Sequence, residues 1–162
     1  MIKKPDITLF ILFFWLAMFG LFYLSTDAET VLKAEIETET DEEQPYTDDD
    51  FYELSHVIQA EAGYCERDMM IGVGSVVLNR VKHKDFPNTV YEVIHSPGQY
   101  TCIDNGMFYN EPTEEVLEVT DHLLRNGSEY PEDVVYQANF PQGSATYLTL
   151  STSYSTMYFC YR

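Results

Sequence analysis

Glu61 stands where a helical period calls for an apolar side chain. Phe51, Leu54, Val57 and Ile58 recur at helix spacing, and Glu61 follows Leu54 by seven positions on that same face. A carboxylate held against apolar neighbours has its charged form penalised, so its pKa rises above the ordinary value of about 4.3. Such a group keeps its proton near neutrality and can deliver it to a leaving oxygen, the general-acid step of glycosidic cleavage. The plain alternative is a solvated, inert glutamate near a helix end.

Many glycosidases pair the acid with a second carboxylate. Glu66, Asp68 and Asp104 are the nearby candidates, and spacing singles out none of them. Sugars also need amides for their hydroxyl and acetamido groups and aromatic rings for their faces. Gln99, Tyr100, Tyr109, Tyr136, Gln137 and Asn139 have those types, and we take Gln99, Tyr100, Tyr136 and Asn139 as the candidate substrate-binding residues. Cys65, Cys102 and Cys160 fit no metal-ligand spacing, and His56, His83, His95 and His122 are scattered. No metal and no cofactor is expected. One disulfide with a free thiol is open, as are three buried thiols.

These residues need elements to hold them. Thr47 followed by Asp48-Asp49-Asp50 is a helix start, with Asp50 as a short stand-in at the capping-box position, and the helix should reach Ala62. Residues 67–82 read as a second helix, in which Gly72, Gly74 and Ser75 let another helix approach. Thr89 or Asn88 caps a short helix over Val90–His95. Residues 96–100 are a turn, and Tyr100–Glu111 reads as an irregular binding loop. A helix follows over Glu114–Arg125, closed by Asn126-Gly127, with Gly127 suited to a left-handed cap. Residues 134–138 and 157–161 read as strands with Gly and Ser loops between them. The class is α+β, mainly helical with a small sheet last.

Charge divides the 162-residue chain. Of the formal −18, −10 falls on residues 27–50 and −9 on residues 51–162. A strongly acidic chain lacks the basic footprint of a nucleic-acid binder. Ile7 to Leu24 is eighteen residues without a charge, preceded by Lys3 and Lys4. As a helix it would rise about 27 Å, close to the hydrocarbon thickness of a bilayer. We read residues 1–26 as a transmembrane signal anchor rather than a cleaved peptide, because Ser25-Thr26-Asp27-Ala28 is a poor cleavage site. Residues 27–50 then form an acidic solvated tether, and residues 51–162 a domain exported to the outer side of the membrane.

Glu61-Ala62, the ungapped run to Val76-Val77-Leu78-Asn79-Arg80-Val81, then Phe86-Pro87-Asn88-Thr89-Val90 and Pro97-Gly98-Gln99-Tyr100 together resemble the cell-wall hydrolase family of the spore-cortex-lytic enzymes. The resemblance covers residues 51–161. It implies a lysozyme-like, transglycosylase-related domain that cleaves peptidoglycan of the wall or spore cortex, with Glu61 at the position of the catalytic acid. Family members commonly show E-A-R-G-E. Here the segment is Glu61-Ala62-Gly63-Tyr64-Cys65, so the second glutamate is a cysteine. A lytic transglycosylase tolerates that loss, because the muramic acid 6-hydroxyl is the nucleophile and one residue serves as acid and then base. Two other functions stay open. One is a wall amidase or peptidase using Cys65 or Cys102 with His56 or His95. The other is a wall-binding protein that has kept the fold and lost catalysis.

Overall fold

The Thr47 hydroxyl accepts the backbone N–H of Asp50 at 3.1 Å and opens helix α1, Asp48–Ala62. The capping box forms differently from the expected one: the Asp50 carboxylate accepts from the Thr47 hydroxyl at 2.8 Å instead of reaching back to its backbone. Leu54, Val57 and Ile58 are fully buried along α1. Removing each such side chain from water is worth about 1.5–3 kcal/mol. The chain is seen here in a computed structural model that describes residues 44–162 apart from residue 154. The anchor read over residues 1–26, and the tether up to residue 43, lie outside the described residues.

The folded unit starts at Gln44, earlier than the expected boundary at residue 51. Tyr46 accounts for the difference. Its ring stacks on Phe51 at 5.8 Å, its hydroxyl donates to Asp121, and the Arg125 guanidinium lies 5.7 Å from its centroid. The last acidic residues before the domain are therefore its first helical turn.

Helix α2 runs from Arg67 to Lys82 and is buried along nearly its whole length from Met69 to Arg80. Helix α3 is Val90–Ile94, capped by Thr89, and α4 is the single turn Thr101–Asp104. A 3₁₀ turn covers Met107–Tyr109. Helix α5 is Glu114–Asn126, capped by the Thr113 hydroxyl. Gly127 does take a positive φ of 88°, but with ψ at −175° it leaves the helix in an extended conformation and not in the left-handed helical cap expected. Strand β1 is Val134–Ala138, β2 is Ala145–Ser151 and β3 is Thr156–Tyr161. They form an antiparallel sheet in the order β1-β3-β2. Helices α1, α2 and α5 pack on one another, and β1 lies against α2.

Two expectations are corrected here. The segment between β1 and β3 contains a strand where a loop was expected. β2 is an edge strand with five of its seven residues exposed, so it lacks the burial that makes a hydrophobic strand pattern. The stretch after Tyr100 is also more ordered than expected, because Phe108 drives it into the core as one of the largest fully buried side chains.

The glycines of α2 divide their work. A Cβ on Gly74 would sit 2.4 Å from Leu123 of α5 and 2.9 Å from Ile58 of α1, so this position does let helices approach. A Cβ on Gly72 would instead sit 2.5 Å from the Phe159 ring of β3 and 2.7 Å from the Tyr130 hydroxyl. It admits the sheet and not a helix. For Gly72→Ala, helix propensity favours alanine by about 1 kcal/mol. Forcing a methyl against a buried ring costs about 1–3 kcal/mol. We expect a net loss, read as a lower urea midpoint at unchanged m-value. A midpoint at or above wild type would show that Phe159 can step aside.

Candidate active site

Glu61 lies in the last turn of α1, half-buried. That helix end is fixed by its neighbours in sequence. Gln59 is buried and its Oε1 accepts the Thr113 N–H at 2.9 Å, joining α1 to the start of α5. To do so its side chain crosses Gly63, where a Cβ would stand 2.2 Å from the Gln59 amide nitrogen. A side chain there would have to displace the Gln59 amide from this path. Glu61 is thereby held at a rigid helix end.

Burial pushes the Glu61 carboxyl above its ordinary range, and a hydrogen bond from the Cys102 thiol offsets this in part. Cys102 sits on α4 and is itself buried. Burial, then the charge and hydrogen bond of Glu61, push its thiol up to about 12. The thiol therefore favours its protonated form, the form that donates to Glu61. Tyr100, one residue before α4, is also buried, which raises its phenol. The Arg80 charge opposes that rise, and Glu61 and Cys102 add to it.

Arg80 assembles the other side. Its guanidinium is buried, with Nε donating to the Val135 carbonyl at 2.7 Å. One terminal nitrogen donates to Gln99 Oε1 at 3.2 Å and to the Tyr100 hydroxyl at 3.4 Å. Its carbon lies 5.3 Å from the Phe86 centroid and 5.6 Å from that of Tyr100. Val135 is the extra residue where the register of β1 against β3 shifts between Val134 and Tyr136. A bulge leaves such a residue out of the regular ladder, and Arg80 takes its carbonyl. Asn79 beside it donates to the carbonyls of Pro131 at 2.8 Å and Val134 at 3.0 Å.

Gln99 and Tyr100 thus share the Arg80 guanidinium, and Tyr100 feels the charge of Glu61. Gln99 is exposed and available to a ligand. Tyr100 is not: at 5% exposure its ring acts from behind, through Arg80 and Cys102. Tyr136 is half-buried on β1 beside Gly143, and Asn139 is exposed in the turn after β1. The hydrogen bond of Glu61 is with Cys102, and its charge is felt at Tyr100. Glu66, Asp68 and Asp104 are exposed. Reading by type left Arg80 out of the site and offered Cys102 only as a nucleophile, not as a donor to Glu61. Arg80 carried one signal, an arginine in the last turn that follows the hydrophobic run of its helix.

Among the described residues the three cysteines are unpaired, with Cys102 and Cys160 buried and Cys65 partly exposed. His56 Nδ1 is 2.8 Å from the Tyr52 carbonyl, and His95 Nε2 is 2.8 Å from Glu53. These imidazoles are committed to partners other than a thiol.

The model of the Cell Wall Hydrolase family matches residues 66–157. The chain belongs to this family. The spore cortex-lytic enzyme of Bacillus subtilis is 28% identical over 94 residues, 58% of this chain and 30% of that protein. That of Bacillus cereus is 31% identical over 94 residues, 58% of this chain and 36% of that protein. The match therefore spans about a third of the length of these curated relatives. Among solved structures, the catalytic domain of the germination-specific lytic transglycosylase SleB from Bacillus anthracis aligns with a TM-score of 0.56 at 22% identity, covering 71% of this chain and 96% of that one. The catalytic domain of the Bacillus cereus SleB protein aligns with a TM-score of 0.56 at 20% identity. At these identities the likeness establishes the cell wall hydrolase fold. Glu61 precedes the segment matched by the family model.

The raised Glu61 pKa has a consequence for stability. A carboxyl that binds its proton more tightly in the folded state contributes fully below its unfolded pKa, about 4.3. That contribution is lost as pH rises through the folded value. Glu61→Gln cannot ionise and keeps an acceptor for the thiol. We expect the variant to melt higher than wild type at pH 8 and to lose that advantage at pH 4, followed by thermal unfolding. An equal shift at both pH values would show that the Glu61 charge is well solvated.

Proposed function

We propose that this domain cleaves the glycan strand of peptidoglycan as a lytic transglycosylase, with Glu61 as the general acid and then the base. The observation that carries the reading is a carboxyl desolvated at a rigid helix end, whose hydrogen-bonding partner is a neutral thiol and not a cation. An arginine in that place would hold it ionised, whereas here the acid form is favoured.

Glu61 gives its proton to the glycosidic oxygen, and the bond to the sugar C1 breaks. The resulting carboxylate takes the proton of the muramic acid 6-hydroxyl as that oxygen closes on C1. The products are a new 4-hydroxyl and a 1,6-anhydro ring, and Glu61 is protonated again. One residue suffices, which agrees with Cys65 standing where the resembled pattern has a second glutamate. Gln99, exposed and oriented by Arg80, is the group we assign to a sugar hydroxyl or acetamide. Tyr136 and Asn139 are assigned to the same strand farther along β1. The similarity to spore cortex-lytic enzymes and to a germination-specific lytic transglycosylase supports this substrate class, with spore cortex as well as wall as the target. The segment Ile7 to Leu24, acting as a membrane anchor, would hold the domain on the wall side.

A cysteine-dependent peptidase is disfavoured by the protonated state of Cys102. The test is mass spectrometry of purified sacculi digested with the full chain. We expect anhydromuropeptides, with yield falling about 10²–10⁴-fold in Glu61→Gln. Reducing-end muropeptides without anhydro rings would retain a glycosidase and reject the transglycosylase step. An undiminished Glu61→Gln digest would remove Glu61 from the chemistry.

A further inference from the structure

Phe108 is the buried centre of a ring cluster that the acid at Glu61 does not use. Its ring meets His56 at 5.5 Å, His95 at 5.6 Å, Tyr109 at 5.5 Å and Tyr52 at 6.2 Å. Tyr91 stacks on His95 at 4.2 Å with the planes 24° apart. Tyr52, Tyr91 and Tyr109 are nevertheless 45%, 57% and 65% exposed. Several large rings held outward around one buried ring are a feature of interaction surfaces.

Of the three, it is Tyr91 that borders a pocket. One face rests on His95, which is pinned by Glu53 at 2.8 Å and by the edge contact with Phe108. The ring borders a pocket of about 510 Å³ whose other walls include Pro87, Pro97, Ser96 and Glu92. No lysine or arginine is among its lining residues. The Glu92 carboxylate already accepts from the Thr89 hydroxyl at 2.9 Å. A flat apolar ring with a polar rim suits a pyranose, which has a C–H face and hydroxyl edges. Glu92 on the pocket wall and Glu53 behind His95 oppose phosphates, anionic lipid and the carboxylates of stem peptides. An uncharged pyranose meets both conditions.

We propose that the pocket beside Tyr91 and His95 is an accessory glycan subsite, holding an uncharged N-acetylated pyranose of the strand on which Glu61 acts. This rests on the glycosidase reading above. The pocket shares its scaffold with the acid: Glu53, which anchors His95, is eight residues before Glu61 on α1, about 12 Å along the helix axis. A strand of several sugars is needed to engage both.

The experiment uses the full chain carrying Glu61→Gln, so that ligand is not consumed, with chitotetraose in calorimetry and purified sacculi in pelleting. Adding Tyr91→Ala should weaken both about three- to tenfold, the size expected for one stacked ring. Tyr91→Phe should stay within about twofold of its parent, and urea midpoints of the three proteins report folding. Unchanged affinity in Tyr91→Ala overturns the subsite. So does self-association that Tyr91→Ala abolishes while sugar binding is absent throughout. Binding through Tyr91 by a chain whose Glu61 form releases no product keeps a glycan site and rejects the glycosidase. Product release that Tyr91→Ala leaves unaltered, with affinity also unaltered, rejects the subsite alone.

Discussion

A buried guanidinium holds this domain's candidate site in one piece. Arg80 comes from the most buried helix, and it must find partners there, because an unpaired charge in that position would cost several kcal/mol. It finds them in three places: the bulged Val135 of the sheet, the turn at Gln99, and the phenol of Tyr100. Rings on two sides exclude water from it. One side chain thus fixes the sheet, the turn and the start of α4 relative to α2. The position of Cys102 beside Glu61 follows from that arrangement. The β1 bulge falls at the same place, and the carbonyl of its extra residue, Val135, is the one that Arg80 Nε meets.

The electrostatics of Glu61 depend on what Arg80 does not touch. The cation spends its hydrogen bonds on a backbone carbonyl, an amide and a phenol, and the carboxyl receives a thiol. A thiol is a weak donor, so it orients the carboxyl while only partly relieving the cost of its charge. The mutual effect is visible from both sides: Glu61 raises Cys102, and Cys102 moderates the rise of Glu61. Both groups therefore favour their protonated forms. A cluster so arranged is suited to giving up one proton to a substrate and taking one back, and unsuited to thiolate chemistry.

The helices were legible because their signals are local. Thr47, Thr89 and Thr113 each precede a helix whose N–H their hydroxyl accepts. Glu61 was legible because a period was broken, which requires only the residues of its own helix. The residues that escaped reading are those whose meaning depends on distant partners. Cys102 reads as a small buried residue until α4 is seen beside the end of α1. Gly72 reads as a helix contact until Phe159 arrives from a strand some ninety positions later. Tyr100 has the composition of a ligand-binding residue, and only its burial shows that it supports Arg80 instead. β2 escaped for a different reason: an exposed edge strand buries too little to leave an alternating pattern.

The match to the cell wall hydrolase family and the assignment of the acid rest on different parts of the chain. The family model begins at Glu66, so it includes Asn79, Arg80 and the turn at Gln99, which are the residues that clamp α2 to β1 and carry α4. It does not include Glu61. What the family secures is thus the frame, and the helix period together with desolvation is what makes Glu61 the candidate acid. The two lines meet at Cys102, which lies within the matched segment and bonds to the residue outside it.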